Sequence, residues 1–176
     1  MLKNLLTIGS KSYANYDKND IPGEIKKLAS KLINDTRLVI DDEVYMFGEL
    51  EAYLSDKNHI DPFVHCDLNQ QTPFKWYFHK FNGKSYKGGS FKGMDLTFAT
   101  QDKDGYCGML VRSIHKLDDN NKIVSTVEGP CNVVDYILKE NNSNSVKDFV
   151  EDHGIDVFKN KKLYLKKHNH GPNNTL

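Results

Sequence analysis

The sequence predicts one α+β domain, a mostly antiparallel sheet with helices packed around it. Three observations lead there. The chain has 176 residues, which suits one domain and hardly two. Apolar residues recur at helical period in some stretches and at strand period in others. Turn-forming pairs such as Asp41-Asp42, Asn82-Gly83 and Gly129-Pro130 separate these stretches. Hydrophobic residues make up 38% and aromatics 11%, enough for a core because each Tyr or Phe carries a large apolar area.

Taken in order, residues 1–20 read as an irregular N-terminal segment, polar from 10 to 20. Ile25, Leu28, Ala29, Leu32 and Ile33 then form one apolar helical stripe. Pro22 fits the first turn of that helix, where a missing N–H costs nothing, and Asp35 with the β-branched Thr36 ends it. Residues 37–40 and 43–54 read as an antiparallel pair turning at Asp41-Asp42. Strand period sorts the second into two faces. Val44, Met46, Leu50, Ala52 and Leu54 lie on one, and Tyr45, Phe47, Glu49, Glu51 and Tyr53 on the other. Residues 55–75, with two prolines and several polar residues, read as a long loop, the kind that tends to be functional or disordered.

Further along, residues 76–81 read as a strand ending in the Asn82-Gly83 turn. The stretch 85–93 is Gly-rich and basic. Strands follow at 94–99 and 108–114, the second nearly continuous in apolar residues and therefore central. Gly129-Pro130 opens a helix carrying Val133, Val134, Ile137 and Leu138. Ser145, with Asp148 three residues on, starts another that Gly154 closes. Residues 162–166 read as a last strand, so the domain spans 21–167 and 168–176 form a disordered tail.

Charge and cysteine content narrow the function classes. Lys+Arg and Asp+Glu are 24 each, for a net charge of +0. A duplex binder usually carries an excess of Lys and Arg, so any basic surface here is local. Three cysteines with no C-x-x-C spacing argue against a disulfide scaffold or a zinc ribbon and for a reduced, intracellular protein of cytoplasm or nucleus. No apolar run reaches the length of a membrane span, and Met1–Leu6 is too short for a signal-peptide core.

Three segments in order carry a resemblance. Glu49-Leu50-Glu51-Ala52-Tyr53-Leu54 precedes Asp61-Pro62-Phe63-Val64-His65; Gly93-Met94 precedes Leu110-Val111-Arg112-Ser113; Glu128-Gly129-Pro130-Cys131-Asn132-Val133 opens a helix. Together they resemble the alkyladenine (3-methyladenine) DNA glycosylases, over roughly residues 22–165. The resemblance implies a curved sheet and an enzyme that swings a damaged nucleotide out of the stack, then hydrolyses its N-glycosidic bond with an activated water and no cofactor. It puts Glu51 in the place of the general base and Arg112 in that of the arginine holding the water. Tyr53 matches a stacking aromatic and His65 a pocket histidine; Tyr86 or Phe91 replaces a second aromatic after a shift. Ala99 falls where the family screens bases with an asparagine. Lys92 stands where the family inserts a tyrosine into DNA, a departure that weighs against duplex DNA as substrate.

Each of these residues has a plainer reading. Arg112 in an apolar strand needs a partner if buried, so a structural pair with Glu49 or Glu51 competes with a water-holding role. The segment 84–90 is either a phosphate cradle or a flexible hairpin. His153, His168 and His170 lack convincing metal spacing. The leading expectation is hydrolysis of a modified nucleobase unit in DNA or as a nucleoside. The alternatives are a catalytically silent relative that binds a nucleobase, nucleotide or other small ligand, and an interaction module using Lys84, Lys87 and Lys92 on nucleic acid or protein.

Overall fold

The computed structural model describes residues 21–57, 60–98 and 105–168. The N-terminal segment, Ala99 and His170 lie outside them. In chain order the elements are α1 (Ile21–Asp35), β1 (Thr36–Ile40), β2 (Glu43–Ser55), β3 (Trp76–Phe78), β4 (Lys80–Phe81), β5 (Ser85–Tyr86), β6 (Met94–Thr97), β7 (Tyr106–Leu117), β8 (Ile123–Glu128), α2 (Pro130–Glu140), α3 (Val146–His153) and β9 (Leu163–Lys167). Seven strands make one curled antiparallel sheet in the order β3-β6-β7-β2-β1-β9, with β8 also on β7. The helices flank it in a single α+β domain.

Local chemistry places the ends. Thr36 turns its hydroxyl back onto Leu32 O as α1 ends at Asp35. Asp41 and Asp42 both adopt positive φ, 45° and 69°, the geometry of a two-residue turn whose twist matches the strands it joins. Ser145 caps α3 by accepting from Asp148 N, and Gly154 at φ 72° closes it. The core lies between the sheet and the helices. Leu28 and Leu32 of α1, Val133, Val134 and Ile137 of α2, and Phe149 of α3 meet Tyr45, Phe47, Met109 and Val111 there. Trp76 is wholly buried and its indole donates to Leu163 O at 2.8 Å, tying β3 to the start of β9.

Three expectations need correction. Strict alternation puts Tyr45 and Phe47 on the face of Glu51 and Tyr53, yet Tyr45 and Phe47 are buried in the core, as are Leu50, Ala52 and Leu54 in whole or part. The cause is a double irregularity. Phe47 pairs with Ile114, Glu49 with Ser113 and Leu50 with Val111, so Gly48 on β2 and Arg112 on β7 are each an extra residue. One extra residue inverts the side-chain parity beyond it. Gly48 suits this position because a Cβ there would lie 2.5 Å from His115 Nε2 and Ser113 Oγ. Second, the run 76–81 is not one strand: it breaks at His79, whose ring is engaged elsewhere. Third, β8 has no counterpart in the reading of the sequence; five of its six residues are exposed, so it lacks the apolar alternation that reveals a half-buried strand.

Candidate functional site

Beyond the bulge, the face of the sheet opposite the core carries Glu49, Glu51 and Tyr53 of β2. Arg112 Nη1 donates to Glu51 Oε2 at 2.5 Å across the β2–β7 ladder. Its Nε lies 3.3 Å from Glu49 Oε1, an ion pair by distance, but the N–H is not aimed at that oxygen and makes no hydrogen bond. The Glu51 and Arg112 side chains are 40% and 39% exposed, so this pair is open to water.

Electrostatics keep Glu51 ionised. Hydrogen bonding from the Tyr53 hydroxyl is the largest effect lowering its pKa; partial burial opposes it, and the Arg112 guanidinium adds to the lowering. Tyr53 responds in the other sense. Burial first, then its bond to the Glu51 carboxylate, pushes the phenol up to about 12. Glu51 is therefore a carboxylate, within reach of water, beside an aromatic face and a fixed cation.

A second cluster adjoins the first on the same face. Asp95 of β6 and Glu51 of β2 are both register partners of Leu110, so the two carboxylates flank one residue of β7 on a single rung. At strand spacing their Cα atoms are about 10 Å apart. The Asp95 side chain is only 3% exposed, and Oδ1 accepts from His79 Nε2 at 2.8 Å. Glycines make room for this pair. A Cβ on Gly108, opposite Tyr53, would stand 2.5 Å from Asp95 Oδ2, and one on Gly93 would stand 2.6 Å from His79 Nδ1.

His65 packs edge-on against His79, with ring centroids 4.6 Å apart. Its Nε2 is 3.0 Å from Lys87 Nζ and its Nδ1 is 3.2 Å from the Tyr77 hydroxyl. An ammonium only donates, so Nε2 accepts, Nδ1 carries the proton, and the Tyr77 oxygen receives it. Desolvation, then His79, then Lys87 lower the His65 pKa. The imidazole is thus neutral at neutral pH.

The structure brings together Glu51, Arg112 and Tyr53, and sets His65 in the adjoining cluster. The remaining candidates are dispersed. Tyr86 packs partly buried against the core beneath the Lys80 ammonium, 5.5 Å from its ring. Phe91 is 70% exposed in a short 3₁₀ turn. Lys84 is exposed in the turn between β4 and β5, Lys87 is drawn to His65, and Lys92 pairs with Asp135 of α2 at 2.9 Å. These lysines do not form one basic patch. Among the described residues, no three His, Cys, Asp or Glu side chains are grouped to hold a metal ion, and Cys66, Cys107 and Cys131 form no disulfide. No helix among them is long and apolar enough to cross a membrane. Sequence reasoning missed Asp95 and His79. The available signal was a lone carboxylate in the otherwise uncharged strand Met94-Asp95-Leu96-Thr97, which a folded chain must pair.

Comparison with known proteins adds one relative. "Uncharacterized protein L759" of Acanthamoeba polyphaga mimivirus is 35% identical over 151 residues, covering 79% of this chain and 68% of that protein. The chain belongs to the L759 family. No family model matches it, and no solved structure matches it. The name of the viral relative states no activity, so the chemistry of this L759-family chain is read from its own residues. What they offer a ligand is a water-accessible carboxylate, a phenol ring, a guanidinium and, one strand over, an imidazole held neutral.

Proposed function

We propose that the chain is a relative of the alkyladenine DNA glycosylases that hydrolyses the N-glycosidic bond of a modified nucleobase, with water activated by Glu51. The observation that carries this is the Glu51–Arg112 contact on neighbouring strands beside Tyr53, which puts the three residues matched by the motif resemblance side by side. The curled antiparallel sheet is compatible with that fold. Water is a poor nucleophile, and a carboxylate at hydrogen-bond distance takes its proton as the oxygen attacks the sugar carbon. Tyr53 supplies a face on which a base stacks, worth about 1–3 kcal/mol. Arg112 holds the carboxylate in place and offers its remaining donors to the water.

The substrate favoured is a base not embedded in an intact duplex. Lys92 is folded onto Asp135 rather than projecting as a wedge, and the chain has no net positive charge. Duplex affinity is expected in the non-specific range, about 10⁻⁴–10⁻⁶ M at physiological salt. Nanomolar binding to a lesion duplex would restore the standard repair reading.

A second reading, a catalytically silent relative that binds a nucleobase or nucleotide in the same place, draws on a specific observation. Tyr53 and Arg112 both bond the Glu51 carboxylate and lower its proton affinity, which weakens it as a base. Release of free base from modified oligonucleotides, single-stranded and duplex, run beside modified nucleosides, decides between them. Release that Glu51→Gln abolishes supports the hydrolase. Saturable nucleobase binding with no release supports the silent relative.

A further inference from the structure

A cavity of about 450 Å³ lies at the far end of the β2–β7 ladder, between the turns that follow β1 and β7 and the last residues of β9. Glu43 and Glu51 are eight residues apart on β2, so at strand rise the cavity is about 25 Å from the candidate site. Arg37 of β1 lines it and is only 9% exposed. One edge of the guanidinium is anchored. Nη1 donates to Thr36 O at the start of β1 at 2.8 Å and to Ile33 O in the last turn of α1 at 3.4 Å. Nε is buried without an acceptor, and no carboxylate among the described residues lies within ion-pair distance of the group. Burial alone moves this arginine, downward from its ordinary pKa, with no neighbouring anion to offset it.

A second observation points the same way. Lys166 of β9 stands directly opposite Arg37 in the β1–β9 register, and Lys167 stands opposite Thr36. Like charges directly opposite on adjacent strands destabilise a sheet. All three cations line the one cavity. Four carboxylates share the lining, but none of them is a partner of the Arg37 guanidinium. Glu43 pairs with Lys116 at 3.2 Å, and Asp118 Oδ1 accepts the N–H groups of Asn120 and Lys122 within its own turn. Asp42 and Asp119 are exposed members of the same lining.

We infer that Arg37 and Lys166 form a binding site for a small oxyanion, a carboxylate or phosphate group, inside this cavity. A buried guanidinium without a counter-charge is costly, and a charge-assisted bond to an oxyanion removes that cost while relieving the repulsion across β1 and β9. Lys167 adds attraction at the mouth. The site is independent of the chemistry at Glu51.

The test uses the full chain, ¹⁵N-labelled, titrated at constant ionic strength with inorganic phosphate and, separately, with acetate. The Arg37 Nε–Hε signal should shift saturably with at least one of them, and the melting temperature should rise with the same anion. A response to phosphate alone or to acetate alone identifies the source of the oxyanion. Arg37→Met should weaken binding at least about tenfold. Lys166→Met, on an exposed position, provides the same reading if Arg37→Met fails to fold. An Arg37 signal unmoved by both anions, or wild-type affinity in both variants, overturns the inference.

Discussion

Two hydrogen-bonded pairs share one face of the sheet and even one rung, yet their surroundings are opposite. Glu51 and Arg112 are about two-fifths exposed, while Asp95 and His79 are 3% and 16% exposed. Glu51 meets Arg112 at a bulge, where the strand is free to re-aim a side chain. Asp95 lies over Gly108 in regular pairing, where there is room for the carboxylate and little else. An open pair exchanges a partner for water or a ligand at small cost. A sealed pair has no substitute, because a buried donor or acceptor left unmatched carries its full desolvation penalty. The open pair therefore suits chemistry, and the sealed one fixes the neighbouring strand beside it.

The largest effect expected from breaking this contrast is on turnover. Glu51→Gln keeps the side chain's shape but not its capacity to take a proton, and the release of base should fall by about 10²–10⁴-fold. Binding of the nucleobase, measured by fluorescence or calorimetry, should change far less because Tyr53 and His65 remain. Equal loss of binding and turnover would make Glu51 a ligand contact instead.

Next come the changes that reach the sealed pair. Asp95→Ala leaves the His79 N–H without its acceptor, and about 1–3 kcal/mol of stability should go with it. Gly108→Ala drives a methyl onto Asp95 Oδ2, which His79 holds in place, and overpacking of this kind also costs about 1–3 kcal/mol. In a chain of this length either appears as a drop of several degrees in melting temperature. If Glu51→Gln lowers the melting temperature as much as Asp95→Ala does, the distinction between open and sealed pairs fails.

The smallest effect is the acid sensitivity set by His65. Its folded pKa is below the ordinary 6.5, so as pH falls the unfolded chain takes the proton first. Stability should be flat above pH 6.5 and decline as pH falls from there through the lowered value. His65→Asn should remove that slope, read as the urea midpoint against pH for both proteins. A Lys87→Met change should move the His65 titration upward in an NMR experiment, since the ammonium is one of the three causes holding it down.

Much of the fold was legible in the residues because its causes are local. The stripe Ile25, Leu28, Ala29, Leu32 and Ile33 needs only helical period to be read, and α1 spans Ile21–Asp35 around it. The Asp41-Asp42 turn, the Ser145 cap and the Gly154 stop each depend on the preferences of one or two residues. Glu51, Arg112 and Tyr53 stood out through motif order, and the sheet brings them into contact.

What only the tertiary structure decided is which residues share a face. Alternation along β2 is a local rule, but the extra residue at Gly48 is accompanied by another at Arg112 on β7. Neither strand contains that information alone. The same holds for Asp95 and His79, which meet because β3 and β6 pair and because glycines elsewhere leave the space. It holds as well for Arg37, whose Nε lacks an acceptor and which faces Lys166 only once β9, more than a hundred residues on, lies down beside β1. Periodicity and capping come from neighbours along the chain, whereas parity, burial and the pairing of charges come from strands that the sequence alone does not set side by side.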